Sequence, residues 1–184
     1  MRACIFIASV AFVTVSLTAG AASSAQPMMA VGERDGVYTV TARFEVPQPA
    51  TVVQAVLTDY ANIPRFMPDV RTSRIVERTA GYTRVEQEAV SKFMLFSKRV
   101  HLLLDVEEGP GLIRFRNTCN RSFAQYEGVW TIKGDGVESQ ITYALTARPA
   151  FRVPEFVLRK LLERDAGVMI DRLRSEITAR AELR

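Results

Sequence analysis

The sequence predicts an α+β fold in which a curved antiparallel sheet of about 6–7 strands wraps around one long C-terminal helix. Apolar and polar residues alternate with a period of two at residues 37–46 and again across residues 70–148. Residues 155–181 instead carry an apolar stripe at helical spacing. Two short helical segments separate the first strand from the others. A helix that long must bury its stripe on something broad, and the concave face of the sheet is the candidate.

The first strand and the helices after it come before the meander. The inward face of the strand is apolar and consists of Tyr38, Val40, Ala42, Phe44 and Val46. Residues 50–58 then have apolar side chains at helical spacing and predict a short amphipathic helix. Between Pro64 and Pro68 there is room for one further turn of helix.

Residues 70–148 predict the antiparallel meander, and residues 155–181 predict the long helix. Turn signals divide the meander at residues 80–81, 109–111, 120 and 134–136. Pro154 stands where helices favour proline, at the first turn. The stripe that should face the sheet consists of Leu158, Leu161, Leu162, Met169, Leu173 and Ile177. A straight helix on a curved sheet leaves a cleft, and an apolar cleft with few polar groups is the usual form of a small-molecule site.

The N-terminus has the features of an export signal. Arg2 precedes an apolar stretch at residues 4–19, and small residues at 23–25 fit the rule for cleavage before Gln26. The alternative is an uncleaved membrane anchor. We expect a signal peptide at 1–25, a flexible tether at 26–36, one domain at 37–184 and an exported, periplasmic mature protein. Cys119 would then be the only cysteine, so packing must hold the fold without an internal disulfide.

The charge balance is mildly basic, with 24 Lys and Arg residues against 20 Asp and Glu residues. No run of five or more like charges occurs, which argues against a nucleic-acid partner. Arginines at 71, 74, 78 and 84 lie close in sequence with Glu77 and Glu86 among them. They predict cross-strand ion pairs on a solvated face, and the alternative is a weak patch for anionic lipid head groups.

Residues 49–68 carry the most specific motif. A helix begins near Pro49, Leu-Thr-Asp-Tyr follows at 57–60, and Pro-Arg-Phe-Met-Pro stands at 64–68. With the strand at 126–130 and the closing helix at 154–177, this motif resembles the START-like helix-grip superfamily (SRPBCC), in particular its polyketide cyclase/dehydrase and coenzyme Q-binding branch. The resemblance implies a helix-grip fold, which hosts enzymes, lipid carriers and hormone receptors. The sequence departs from the pattern of this branch at two places. Gln54 stands where relatives often have an aromatic residue, and Pro68-Asp69 disfavours coenzyme Q as the ligand.

The sequence offers no strong catalytic motif. His101 is the only histidine, and strand alternation places it on the outer, solvent-facing surface. Cys119 has no base near it in sequence and is expected to be a small buried residue or an inert thiol. Asp59 at a helix end is either a cap or turn former or a general base. We therefore expect no catalytic residue, no metal site and no cofactor.

The candidate ligand site is the space between the sheet and the long helix. Gln87 and Ser91 share the inward face of their strand with apolar neighbours, so Gln87 bonds either to another chain segment or to a polar ligand group. The remaining candidates are large apolar residues that could be core or cavity wall. The candidate site residues are Phe66, Gln87, Phe93, Phe115, Tyr126, Trp130, Tyr143, Phe156 and Met169.

These features predict an exported binding or carrier protein for a hydrophobic small molecule, such as a lipid, a quinone or an aromatic polyketide. The ligand would lie between the sheet and the C-terminal helix, and transient contact with a membrane surface is also expected. The alternative is a polyketide cyclase, aromatase or dehydratase that acts by orienting its substrate and moving protons with Tyr126, Tyr143, Asp59 or Gln87.

Overall fold

The structure is a computed structural model. It describes residues 27–93, 96–134 and 136–182, with the side chains of Lys92, Phe93, Phe96 and Glu182 outside the description. The expected signal peptide at 1–25 lies outside the described residues. The elements are β1 (Met28–Arg34), β2 (Val37–Val46), α1 (Ala50–Leu57), a 3₁₀ turn (Tyr60–Asn62), α2 (Ile63–Phe66), β3 (Val70–Arg78), β4 (Thr83–Phe93), β5 (Phe96–Gly109), β6 (Leu112–Asn117), β7 (Phe123–Gly134), β8 (Ser139–Pro149) and α3 (Glu155–Glu182).

The strands form one antiparallel sheet in the order β1-β2-β8-β7-β6-β5-β4-β3. The predicted α+β fold class, with its meander, two short helices and long C-terminal helix, is confirmed. The sheet has eight strands, more than the six or seven expected. Among the described helices, none combines the length and the apolar character that crossing a membrane requires.

The additional strand is β1, which occupies the segment expected to be a flexible tether. It pairs with β2 along its whole length, from Met28 opposite Arg43 to Arg34 opposite Val37. The two strands are joined by Asp35-Gly36, which have positive φ values of 54° and 75°. Those values suit the two-residue turns that match the twist of a hairpin, and Asp-Gly is a strong sequence signal for them. The tether prediction was wrong because the apolar and polar residues of β1 do not clearly alternate. The strand is held by its backbone pairing with β2, which a pattern of side chains does not reveal.

Helix α3 lies across the concave face and buries most of its predicted stripe. Leu158, Leu161, Leu173 and Ile177 are buried, whereas Leu162 and Met169 are half-buried. Two further buried residues, Ala166 and Ile170, complete the stripe. The helix packs on β1 and β2 at one side of the sheet and also contacts α1 and β4. This placement leaves space between the helix and the middle strands.

The outer face of the sheet carries the charged residues. Arg84 joins three strands, because its guanidinium lies 2.7 Å from Glu77 on β3 and 2.6 Å from Asp105 on β5. Arg74 pairs with Glu86 across β3 and β4. For these two arginines the prediction of cross-strand ion pairs is confirmed, and on this solvated face each pair contributes little to stability.

His101 lies on the same outer face, as alternation predicted, but its side chain is only 15% exposed. Its ring nitrogens lie 3.7 Å from Glu86 and 3.9 Å from Glu88. The expectation that it faces solvent was therefore wrong in degree, because two long side chains of β4 cover the ring. Cys119 is half-buried nearby, with its Sγ 3.8 Å from the carbonyl oxygen of His101.

Candidate functional site

A cavity of about 350 Å³ lies between the concave face of the sheet and α3. Every strand from β2 to β8 contributes residues to its wall, and α1, α2 and α3 complete it. The wall is mainly apolar, because the strands alternate and turn their apolar faces toward the helix. Its volume falls in the range that holds small organic ligands.

Seven of the nine predicted site residues line this cavity. They are Phe66, Gln87, Phe115, Tyr126, Trp130, Tyr143 and Met169. Phe93 belongs to β4, but its side chain lies outside the described part of the structure.

Phe156 is a correction, because its side chain is 71% exposed and is not part of the wall. It precedes the buried Leu158 by two residues, which is about 200° around a helix, so the two side chains point to opposite sides. Phe156 also lies outside the apolar stripe that the sequence predicted for this helix.

An aromatic cluster forms one wall of the cavity, with Phe115 near its centre. The ring of Phe115 is 5.9 Å from Tyr126 and 6.3 Å from Tyr143, and it is nearly parallel to the latter. Trp130 also packs against Tyr143, with 4.3 Å between ring centroids. Gly128 makes this arrangement possible, because a Cβ atom there would lie only 2.5 Å from the Phe115 ring. The cluster therefore depends on one missing side chain in the middle of β7.

Tyr126 and Tyr143 both border the cavity, and each acts on the pKa of the other's hydroxyl group. Burial is the main cause that raises the pKa of both hydroxyls. Both groups are neutral at physiological pH and can act as proton donors.

Gln87 has an intramolecular partner. Its side-chain amide nitrogen donates to the hydroxyl of Ser73 on β3, at 3.2 Å. Of the two possibilities left open by the sequence, a bond to another chain segment is therefore present. The side chain still borders the cavity, so it contributes a polar edge to an otherwise apolar wall.

The charged groups of the cavity lie at its opening. We define the rim as Asp69, Ser91, Lys98 and Asp165, which all border the cavity. The Ser91 hydroxyl donates to Asp165 at 2.6 Å and so connects β4 to α3. The Lys98 ammonium lies 4.4 Å from the centre of the Phe151 ring. The side chains of Asp69 and Asp165 are 50% and 37% exposed, so this part of the wall is in contact with solvent.

Sequence reasoning missed Asp69, Lys98 and Asp165 as cavity residues. A signal for Asp165 was present, because it stands seven residues after Leu158 and three before Val168, within the otherwise apolar stripe of α3. A carboxylate on the apolar side of a helix is costly unless it has partners. Asp165 has them in Ser91 and in Arg164, whose guanidinium lies 2.8 Å away.

Two residues singled out in the motif at 49–68 have structural partners. The Gln54 side chain donates to the carbonyl of Gly109 and accepts from the N–H of Gly111, both at 3.1 Å, and so holds the turn between β5 and β6. Asp59 lies 2.7 Å from Arg180 of α3 and accepts a hydrogen bond from Asn62. Asp59 is not part of the cavity wall. Within the described ranges, no cluster of His, Cys, Asp and Glu residues could hold a metal ion.

Comparisons with known proteins agree with this geometry. A family model described as polyketide cyclase / dehydrase and lipid transport matches residues 46–174. A search of curated proteins finds no match. Similar solved structures include TTHA0849 of Thermus thermophilus, with 22% identity, a TM-score of 0.65 and coverage of 77% of this chain and 97% of that one.

Two further solved structures have names that state a function. The Zhui aromatase/cyclase of Streptomyces sp. R1128 has 17% identity and a TM-score of 0.66, with 79% of this chain and 96% of that chain covered. A STAR-related lipid transfer protein of Xanthomonas axonopodis has 15% identity and a TM-score of 0.64, with 82% and 98% covered. At these identities the likeness shows a shared fold.

Proposed function

The chain belongs to the polyketide cyclase/dehydrase and lipid-transport family, and from this membership and its cavity we propose that it is an exported carrier of a hydrophobic small molecule. The ligand would be held between the sheet and α3. Related folds include both lipid transfer proteins and aromatase/cyclases, so the family alone leaves both functions open.

The cavity is the observation that carries the proposal. A mainly apolar space of about 350 Å³ leaves the side chains of its wall without van der Waals partners, and this costs stability. Larger side chains at wall positions such as Ala89 and Ala166 would fill the space and so remove this cost. A binding role explains why the space is kept.

Extraction of the purified protein with organic solvent, followed by mass spectrometry, tests the carrier function. We expect a co-purifying hydrophobic compound in the wild type and its loss in Ala166→Phe, which fills part of the cavity. Ala166→Leu is a milder version in case the larger ring prevents folding. Ala179→Phe, on an exposed position of the same helix, is the control and should retain the compound.

Two results would overturn the carrier function. One is the absence of any extracted compound together with no change in melting temperature or Trp130 fluorescence on adding lipids, quinones or aromatic polyketides. The other is equal retention of the compound by the folded Ala166 variants and the Ala179 control. The second result would place the bound compound outside the cavity.

Export is part of the proposal and rests on the signal-like residues 1–25. The mature protein should begin at Gln26 or within a few residues of it. Mass analysis of the intact periplasmic protein measures this directly. Recovery of full-length protein in the membrane fraction would contradict it and favour an anchor.

Contact with a membrane surface would give the carrier access to its ligand. Phe151 and Val153 border the cavity directly before α3, and the exposed Phe156 follows in the first turn of that helix. Lys160 lies one turn further along and is 64% exposed. We expect sedimentation with anionic phospholipid vesicles to fall in Phe156→Ser. Equal sedimentation of the wild type and Phe156→Ser would exclude this part of the surface as the site of membrane contact.

An aromatase or cyclase is the second candidate function, and the neutral hydroxyl of Tyr126 inside the cavity favours it. However, Asp165, the carboxylate whose charge acts on Tyr126, is already bonded to Ser91 and Arg164. Asp59 pairs with Arg180 outside the cavity. Asp69, the other carboxylate of the described wall, lies 3.9 Å from the same Arg164, so both wall carboxylates already have a cationic partner. Cyclisation of an open-chain diketone that is abolished in Tyr126→Phe would favour the enzyme over the carrier.

A further inference from the structure

Lys98 is a cation on the cavity-facing side of β5. The alternation of that strand turns every second residue toward α3, and Lys98 is half-buried at the rim end of this row. The next three residues of the row are apolar and border the cavity, namely Val100, Leu102 and Leu104. Lysine is seldom found among buried apolar residues unless its charge has a partner.

The partner of the Lys98 ammonium within the described ranges is an aromatic ring. The nitrogen lies 4.4 Å from the centre of the Phe151 ring, and Phe151 also borders the cavity. No described carboxylate forms an ion pair with it. A ring face attracts a cation without neutralising its charge, and an ammonium group has three N–H donors. The Lys98 ammonium can therefore also bind an anion.

The two carboxylates of the rim already have partners of their own. Ser91, which is paired with Lys98 across β4 and β5, donates its hydroxyl to Asp165 at 2.6 Å. The Arg164 guanidinium lies 2.8 Å from Asp165 and 3.9 Å from Asp69. Because these carboxylates repel a second negative charge, an anion beside Lys98 is favoured when it carries one charge rather than two.

The rest of the cavity gives the ligand a direction. Among the described wall residues, Lys98 is the one cation. An anionic group deep in the cavity would have no cation beside it, and burying an unpaired charge is strongly unfavourable. The same group at the rim has the Lys98 ammonium and solvent, while an apolar body gains free energy by burial against the wall. The charged end of a ligand is therefore expected at the rim.

We infer that the Lys98 ammonium is a head-group binding site, and that the molecule in the cavity is an amphipathic carboxylic acid whose apolar body lies against the wall and whose carboxylate lies at the rim. This inference rests on the proposed carrier function and names the chemical class of its ligand. It excludes neutral lipids and quinones as the preferred ligand.

The head-group site is tested with cis-parinaric acid and its methyl ester, which share one hydrocarbon chain and differ in charge. The tetraene of both compounds absorbs where tryptophan emits, so quenching of Trp130 fluorescence reports binding in the cavity that Trp130 borders. At about pH 8 the acid is ionised. In the full-length mature protein we expect Lys98→Met to weaken binding of the acid about 3- to 10-fold and to leave the ester unchanged within about twofold.

Two further variants separate the charge at the rim from other effects. Lys98→Arg keeps a cation and should retain the preference for the acid. Lys133→Met removes the same charge from an exposed position on β7 outside the cavity wall, so it should change neither affinity.

Salt gives an independent reading of the same contact. Raising NaCl from about 0.05 to about 0.5 M should weaken binding of the acid relative to the ester in the wild type, because salt screens charge pairs near solvent. This dependence should be lost in Lys98→Met. A lysine that only packs on the Phe151 ring would not produce it.

The outcomes separate this inference from the proposed function. If both compounds bind the wild type and Lys98→Met changes them equally or not at all, the head-group site is refuted while the carrier function stands. Extraction of a neutral compound from the purified protein has the same meaning, whereas extraction of an acid supports the site. If neither compound binds and extraction yields nothing, the carrier function fails and the head-group site fails with it.

Discussion

Replacing Gly128 with alanine tests the packing on which the cavity wall depends. The added Cβ would lie 2.5 Å from Cζ of Phe115 and 2.5 Å from the carbonyl oxygen of Ala144, where ordinary contacts are 3.4–4 Å. The ring can move, but the carbonyl belongs to β8, which pairs with β7 along this stretch. Overpacking of this kind costs about 1–3 kcal/mol. The lower entropy of the unfolded alanine chain offsets about 0.4–1 kcal/mol of it.

The expected net loss is therefore about 1–2 kcal/mol, or about 2–4 °C in melting temperature for each kcal/mol. Urea denaturation followed by Trp130 fluorescence measures it, since this is the only tryptophan. Gly81→Ala is the control, because a Cβ there has no neighbour within 4 Å and should not destabilise the protein. Phe115→Leu should reduce the cost of Gly128→Ala in a double-mutant cycle. Equal denaturation midpoints for the Gly128 and Gly81 variants would refute the packing described for the Phe115 ring.

Three further predictions concern the helix, the buried tyrosines and the turn held by Gln54. Met169→Asp puts a charge on the cavity side of α3 and should lower the free energy of unfolding by several kcal/mol, which thermal denaturation measures. An unchanged melting temperature would mean that this side of the helix faces solvent. The raised pKa of Tyr143 keeps its hydroxyl protonated in the folded protein above pH 10, where the same tyrosine ionises in the unfolded chain. This contribution to the free energy of unfolding should therefore be fully present below about pH 10 and be lost as the pH rises further. The loss should be less steep in Tyr143→Phe. Parallel profiles of urea midpoints between pH 8 and 11 for the wild type and Tyr143→Phe would contradict this. Gln54→Leu removes both hydrogen bonds to the turn at Gly109 and Gly111, so hydrogen exchange at the Gly111 amide should accelerate while the amides in the middle of β8 stay protected.

Strand alternation was sufficient to place the cavity residues of β7 and β8. A period of two puts Tyr126 and Trp130 on one face, and the same argument turns Tyr143 inward. It could not reveal the contact between the Trp130 and Tyr143 rings, because that contact depends on the register that places Trp130 opposite Tyr143. Register is a relation between strands, and a single strand pattern does not contain it.

The N-terminal strand and the rim were harder to predict for different reasons. In β1 only Val31 is buried, so hydrophobic periodicity is weak, and the Asp35-Gly36 turn was the better signal. At the rim, Asp69 and Asp165 come from a loop and from α3, which are about a hundred residues apart. Local patterns describe the preferences of each segment, whereas the opening of a cavity arises where distant segments meet.

The strand order also determines when the cavity can exist during folding. β2 pairs with β8, about a hundred residues later in the chain, and β1 receives a hydrogen bond from Arg159 of α3 to the carbonyl of Val31. The β1–β2 hairpin therefore lacks its connection to the rest of the sheet until β8 has been synthesised, and contacts of such long sequence separation slow folding. Until then the inward faces of the meander stay exposed to water and to other chains. The cavity therefore closes only after β8 and α3, the last elements of the sequence, have been synthesised.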